Sequence, residues 1–263
     1  MELNIVPNLT TDRRCKQTAY QANDYERSEV KAEQREKILT FILENHDDRK
    51  IKYFGMPGKY WLLERELFHN DPKSHICGIE KDFEIFSKSV GYLEGKRFLR
   101  RRILPWAHDK RTDNNNGIET ARTDNFYYIN GDLNAVTSDR ALKHSRGRAF
   151  YDKRFLLHRS AIWLDFTSSF NIDTYTSIYN LHNIIHPNLP SVICLTLLYG
   201  RDQIFKGEGE QARVEIVEKA LPGFNCKDVW IYKGFNDSSM INICGVLKPP
   251  SKLIDSNEGV IVD

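Results

Sequence analysis

Residues 51–82 read IKYFGMPGKYWLLERELFHNDPKSHICGIEKD. A short apolar run, 50–55, reaches the turn Gly55-Met56-Pro57-Gly58. A helical pattern follows over 59–68, with Tyr60, Leu63 and Leu67 on one face and Trp61 and Phe68 beside it. A second apolar run, 75–80, stops at the acidic Glu80. Strand, glycine-containing turn, helix and strand in this order predict a βαβ unit of an α/β sheet.

The rest of the chain continues the alternation. The spacing of Phe83, Phe86, Val90 and Leu93 predicts a helix from 82 to about 102. Residues 108–125, HDKRTDNNNGIETARTDN, carry turn chemistry and predict a polar loop. Strands are expected at 126–129, 160–166 and 191–199, and helices at 172–185 and 212–221. Residues 133–158 are basic and irregular, with one helix expected. The runs 228–233 and 240–247, joined by a polar link, predict a closing hairpin. Near-continuous apolar runs at 76–79, 161–164 and 192–198 suit central strands covered on both faces, as in a mostly parallel sheet. Ahead of all this, 25–45 predicts a charged helix whose apolar residues gather late, at Ile38, Leu39, Phe41, Ile42 and Leu43.

In such a sheet the ligand crevice lies at the carboxyl ends of the strands. The first strand ends in Gly55, Met56, Pro57 and Gly58, where backbone amides and a helix N-terminus favour an anionic or polar ligand. The second ends in Glu80, 22 residues after Gly58, near the spacing at which dinucleotide folds bind ribose hydroxyls. The third ends in Asn130-Gly131-Asp132. The fourth ends in Asp165, followed by Phe166, Thr167, Ser168 and Ser169. Asp165 follows Ile162-Trp163-Leu164, so its charge is expected at the end of a buried strand, where an unpaired carboxylate is costly.

This series, over about residues 50–248, resembles the class I S-adenosylmethionine-dependent methyltransferase family as a divergent member. YFGMPG (53–58) is similar to the F-x-G-x-G versions of the family's first motif. The resemblance implies an α/β fold: a doubly wound, mostly parallel Rossmann-like sheet with helices on both faces and a C-terminal antiparallel hairpin. Residues 1–49 form an N-terminal helical extension on this division. Residues 50–263 form the methyltransferase-like domain, with basic insertions around 96–159. The implied cofactor is S-adenosylmethionine, held by Gly55, Met56, Pro57, Gly58, Glu80 and Asp132. Asp165, Thr167 and Ser168 would face the methyl group as catalytic residues. Two departures stand out. The acid usual within strand one is absent, with Lys52 and Tyr53 in that region, and the fourth motif is not Asn/Asp-Pro-Pro-Tyr.

Lys+Arg is 38 and Asp+Glu 36, so whole-chain charge does not point to nucleic acid. Local charge does. Lys96, Arg97, Arg100, Arg101 and Arg102 precede Trp106, and Arg146 and Arg148 precede Phe150 and Tyr151. Basic residues interleaved with aromatics suit a phosphate backbone and base stacking. Nucleic acid is therefore the expected partner, with a solvated basic face or a surface for an acidic protein partner as the alternative. A non-catalytic binding module on the same fold is the rival function. A nuclease is the weaker third, since Glu80, Asp132 and Asp165 could gather a hard metal.

The five cysteines are scattered, without C-x-x-C or zinc spacing, which predicts reduced thiols and no metal site. Cys194 reads as core, and His144 and His158 lack a hydrolase arrangement around them. The N-terminus has no signal-peptide core and no run of 18 apolar residues occurs, so a cytoplasmic protein without a membrane partner is expected.

Overall fold

The computed structural model describes residues 28–46, 50–58, 60–95, 119–122, 125–134, 160–183, 185, 189–199, 209–234 and 238–248. The elements in chain order are α1 (Glu29–Asn45), β1 (Lys52–Gly55), α2 (Leu62–Asn70), β2 (His75–Glu80), α3 (Phe83–Gly95), β3 (Glu119–Arg122) and β4 (Phe126–Asn130). They continue with β5 (Ser160–Ser169), α4 (Ile172–Asn180), β6 (Ser191–Tyr199), α5 (Glu210–Ala220), β7 (Phe224–Lys233) and β8 (Ser239–Leu247).

Among the described residues, eight strands form one sheet in the order β3-β4-β2-β1-β5-β6-β8-β7. The central β4, β2, β1, β5 and β6 are parallel, and among the described residues α2 crosses from β1 to β2 and α4 from β5 to β6. β8 runs antiparallel to β6, and β7 antiparallel to β8, which is the expected hairpin. The doubly wound α/β class is therefore the one observed.

Three local expectations are corrected. The predicted polar loop 108–125 contains β3, which pairs antiparallel with β4. Its sequence, Glu-Thr-Ala-Arg, has no apolar alternation because an edge strand is held by backbone pairing. The fourth predicted strand runs on to Ser169, past Phe166. The predicted 228–233 strand starts at Phe224; a register shift between Cys226 and Asp228 breaks the alternation that would have revealed it.

Strand alternation divides the core in two. On one face Ile162, Leu164, Ile193, Leu195, Ile241 and Ile243 pack with α4 and α5. On the other, Tyr53, Ile76, Tyr128, Trp163, Cys194 and Cys244 pack with α1, α2 and α3. Ser28 caps α1, its Oγ accepting from the Lys31 amide at 3.3 Å. Both halves of α1 face the sheet: Lys31, Gln34 and Arg35 are buried as well as Ile38, Phe41 and Ile42.

Candidate functional site

The chain leaves β1 to build β2 and β4 on one side of it, then returns to place β5 and β6 on the other. The strand order therefore switches between β1 and β5, and the crevice opens at their carboxyl ends. Period-two alternation puts Gly55, Glu80, Asn130 and Asp165 on the face that carries Tyr53, Ile76, Tyr128 and Trp163. Four of the strand ends singled out from sequence thus meet on one face of the sheet, beneath the first three helices.

The loop after β1 is tightly packed. A Cβ on Gly55 would lie 2.8 Å from the Trp163 carbonyl oxygen and would run into the Tyr53 ring, which folds along the strand over Gly55. The glycine is needed for this close approach. Tyr53 Oη then donates to Glu64 Oε1 at 2.9 Å, tying β1 to α2 inside the core. Burial first, then the Glu64 carboxylate, raises the Tyr53 phenol well above its usual range and keeps it neutral. Lys52 and Tyr53 occupy the stretch of β1 where the sequence resemblance leads to the expectation of an acid. Pro57 is buried, and Gly58 has φ 61°, the left-handed turn that glycine adopts without strain. Trp61 also has positive φ, 51°, at the N-cap of α2. For a bulky residue that is a strained position.

Glu80 ends β2 and folds over its own turn, Oε1 accepting from the Asp82 amide at 2.8 Å. Burial raises its carboxyl above the ordinary value, against the pull of the Asp82 and Lys81 amides. Asp82 caps α3, its Oδ1 accepting from the Glu84 and Ile85 amides at 2.8 and 3.1 Å. Asn130 stitches β4 to β2: its Nδ2 donates to the Glu80 carbonyl at 2.9 Å.

Asp132 lies further out. One carboxylate oxygen pairs with Lys81 Nζ at 2.9 Å and the other accepts from the Asn134 amide at 2.9 Å. This pair is largely exposed, so it contributes little to stability. The Asp132 carboxylate in turn raises the Lys81 ammonium above its ordinary value.

Asp165 sits two residues past the level at which β1 ends, since Gly55 pairs with Trp163. Its Oδ2 accepts from Lys31 Nζ of α1 at 2.5 Å. Its Oδ1 is buried and has no hydrogen-bond partner among the described residues. Behind the pair runs a buried polar chain. Trp163 Nε1 donates to Thr196 Oγ1 at 2.9 Å, and Thr196 Oγ1 donates to Asn242 Oδ1 at 2.5 Å. Asn242 Nδ2 and Trp230 Nε1 both donate to Gln34 Oε1, at 3.1 and 2.5 Å.

The structure thus brings Gly55, Met56, Pro57, Gly58, Glu80 and Asp165 to one end of the sheet, with Asp132 at its outer rim. Thr167 and Ser168 continue β5, with side chains outside the described residues. Lys96, Arg97, Arg100, Arg101, Arg102, Arg146 and Arg148 also lie outside the described residues. Among the described residues no group of three or more His, Cys, Asp or Glu is placed to hold a metal, and no helix is long and apolar enough to cross a membrane. Sequence reasoning missed Lys31 and Gln34. Their signal was present: positions 31, 34, 35, 38, 41 and 42 continue one stripe, and only its second half is apolar.

No model of a known protein family matches the chain, and no characterised protein matches it by sequence. Solved structures match it by shape. A SAM-dependent methyltransferase from Aquifex aeolicus superposes with a TM-score of 0.51 at 10% identity, over 87% of this chain and 97% of that one. The O-methyltransferase TomG from Streptomyces achromogenes, solved with SAM, gives 0.51 at 11% identity, over 87% and 86%. The chain has the class I S-adenosylmethionine-dependent methyltransferase fold.

Proposed function

We propose that the crevice between β1 and β5 binds S-adenosylmethionine, and that the protein is a methyltransferase-like protein that acts on or binds nucleic acid. Glu80 carries this reading. It is a partly dry carboxylate at the end of β2, held by a backbone amide through one oxygen. A ribose diol donating to the other oxygen would relieve its desolvation. The fit extends to Asp165, whose buried Oδ1 is an acceptor without a partner among the described residues. The Gly55 position offers less, since Tyr53 and the Trp163 carbonyl fill the room a missing Cβ would leave. The loop would bind through the backbone of Met56 and Gly58, with Pro57 fixing its path and Asp132 at the rim.

When bound, S-adenosylmethionine supplies an electrophilic methyl group on a sulfonium. Asp165, with Thr167 and Ser168 after it, would orient the acceptor atom and take its proton. Positioning and electrostatics would supply most of the rate. The basic stretches at Lys96, Arg97 and Arg100–Arg102, and at Arg146 and Arg148, would hold a phosphate backbone.

Titration calorimetry should show micromolar binding of the cofactor or its demethylated product. Glu80→Ala should weaken it about tenfold or more, which is about 1.4 kcal/mol. Absence of binding heat with both ligands would refute the reading. A non-catalytic nucleic-acid or protein-binding module is the second reading. It is favoured by Lys52 and Tyr53 in the stretch of β1 where an acid is expected and by the Lys31 ion pair on Asp165. Gel shifts that survive Asp165→Ala and need no cofactor would select it. Neutralising Arg100–Arg102 tests the basic patch in either case.

A further inference from the structure

Lys31 lies in the first turn of α1, and its ammonium sits against Asp165 and Trp163 of β5. Asp165 Oδ2 accepts from it at 2.5 Å, and the Trp163 ring centroid is 5.9 Å away. A carboxylate beside an indole face is the chemistry that recognises an alkylammonium. The side chains retain 10% and 21% of their exposure, so the pair is set into the protein with Asp165 on the more open side. Docking of α1 alone does not call for it: Ile38, Phe41 and Ile42 already anchor the helix, and a buried ion pair seldom exceeds an apolar one in stability. The other carboxylate oxygen, Oδ1, has no partner among the described residues.

We propose that Asp165 and Trp163 form an amine-acceptor site and that Lys31 is its internal substrate, methylated by its own chain. The inference rests on the cofactor reading above and goes beyond it by naming an acceptor. In the step, the Asp165 carboxylate takes a proton from the Lys31 ammonium. The freed electron pair on Nζ forms a bond to the methyl carbon. The carbon–sulfur bond breaks and its electron pair stays on sulfur, leaving a thioether. The positive charge passes to the methylated nitrogen, and Asp165 releases its proton to solvent.

The test has two arms. Without cofactor, Lys31→Ala should lower the melting temperature, and n-propylamine should raise it again where n-propanol does not. The amine should do nothing for Lys31→Ala/Asp165→Asn. Equal stabilisation of both variants would overturn the acid-and-indole site. With S-adenosylmethionine carrying a trideuterated methyl group, peptide mass spectrometry of the wild-type chain should place the label on Lys31. Asp165→Asn, assayed below its own lowered melting temperature, should cut that label about a hundredfold, as expected on losing a general base. Calorimetric binding of the cofactor with no label on Lys31, or label only elsewhere, overturns self-methylation and leaves the cofactor reading intact. Absence of cofactor binding removes both. If Lys31→Ala does not fold, the labelling of the wild-type chain decides.

Discussion

The two faces of the sheet are built from the same strands, yet the residues they present differ in kind. Along β5, Ile162, Leu164 and Phe166 face α4 and α5, while Ala161, Trp163 and Asp165 face α1 to α3. Along β6 and β8, Ile193, Leu195, Ile241 and Ile243 take the first face; Cys194, Thr196, Asn242 and Cys244 take the second. The first face does one thing: it removes apolar surface from water. The second also carries a hydrogen-bonded chain from Trp230 at the far edge of the sheet through to Trp163, beside the acid in the crevice. A buried polar chain must satisfy every member or it destabilises the fold. Among the described residues this chain runs along the second face, so that face is shaped by more than packing.

The largest effect is expected on the apolar face. Leu195→Ala, at a fully buried position, should lower the unfolding free energy by about 3–4 kcal/mol in urea titration, without altering cofactor affinity. On the other face, Lys31→Met leaves Asp165 without its cation and should cost about 3 kcal/mol, with Lys31→Arg recovering most of it. Thr196→Val keeps shape but takes a partner from both Trp163 and Asn242. It should cost about 2 kcal/mol and shift the tryptophan emission. A loss from Thr196→Val as large as that from Leu195→Ala would break the contrast between the faces. A negligible loss would show that the polar chain contributes nothing to stability.

The smallest effect concerns Glu80. Its carboxyl is raised in the folded chain, so folding is favoured by the protonated form. That contribution is complete below the unfolded value, near 4.5, and is lost as pH rises through the folded value. Glu80→Gln should flatten the pH dependence of stability in this window, read by urea titration at a series of pH values. Cofactor binding at Glu80 should shift the wild-type window back toward lower pH.

Much of this architecture was legible in sequence. The apolar runs at 76–79, 161–164 and 192–198 are the central strands, because a strand covered on both faces has little room for polar residues. Asp165 announced itself as a carboxylate after Ile162-Trp163-Leu164, a place where an unpaired charge is costly. β3 escaped notice because pairing at a sheet edge asks little of side chains. Gly55 read as a ligand-approach glycine; its close neighbours proved to be Tyr53 and the Trp163 carbonyl.

The order of the elements apart from β3, and the acids Glu80 and Asp165 within it, follow from hydrophobic period and turn chemistry, which are local properties of the chain. What those acids meet depends on how distant parts of the chain pack. Lys31 lies 134 residues from Asp165, and Gln34 lies 208 residues from Asn242. Such pairings depend on which face α1 covers and how far along the sheet it sits. These are set by the packing of Ile38, Phe41 and Ile42 against the sheet, not by any pattern within α1 or β5 alone.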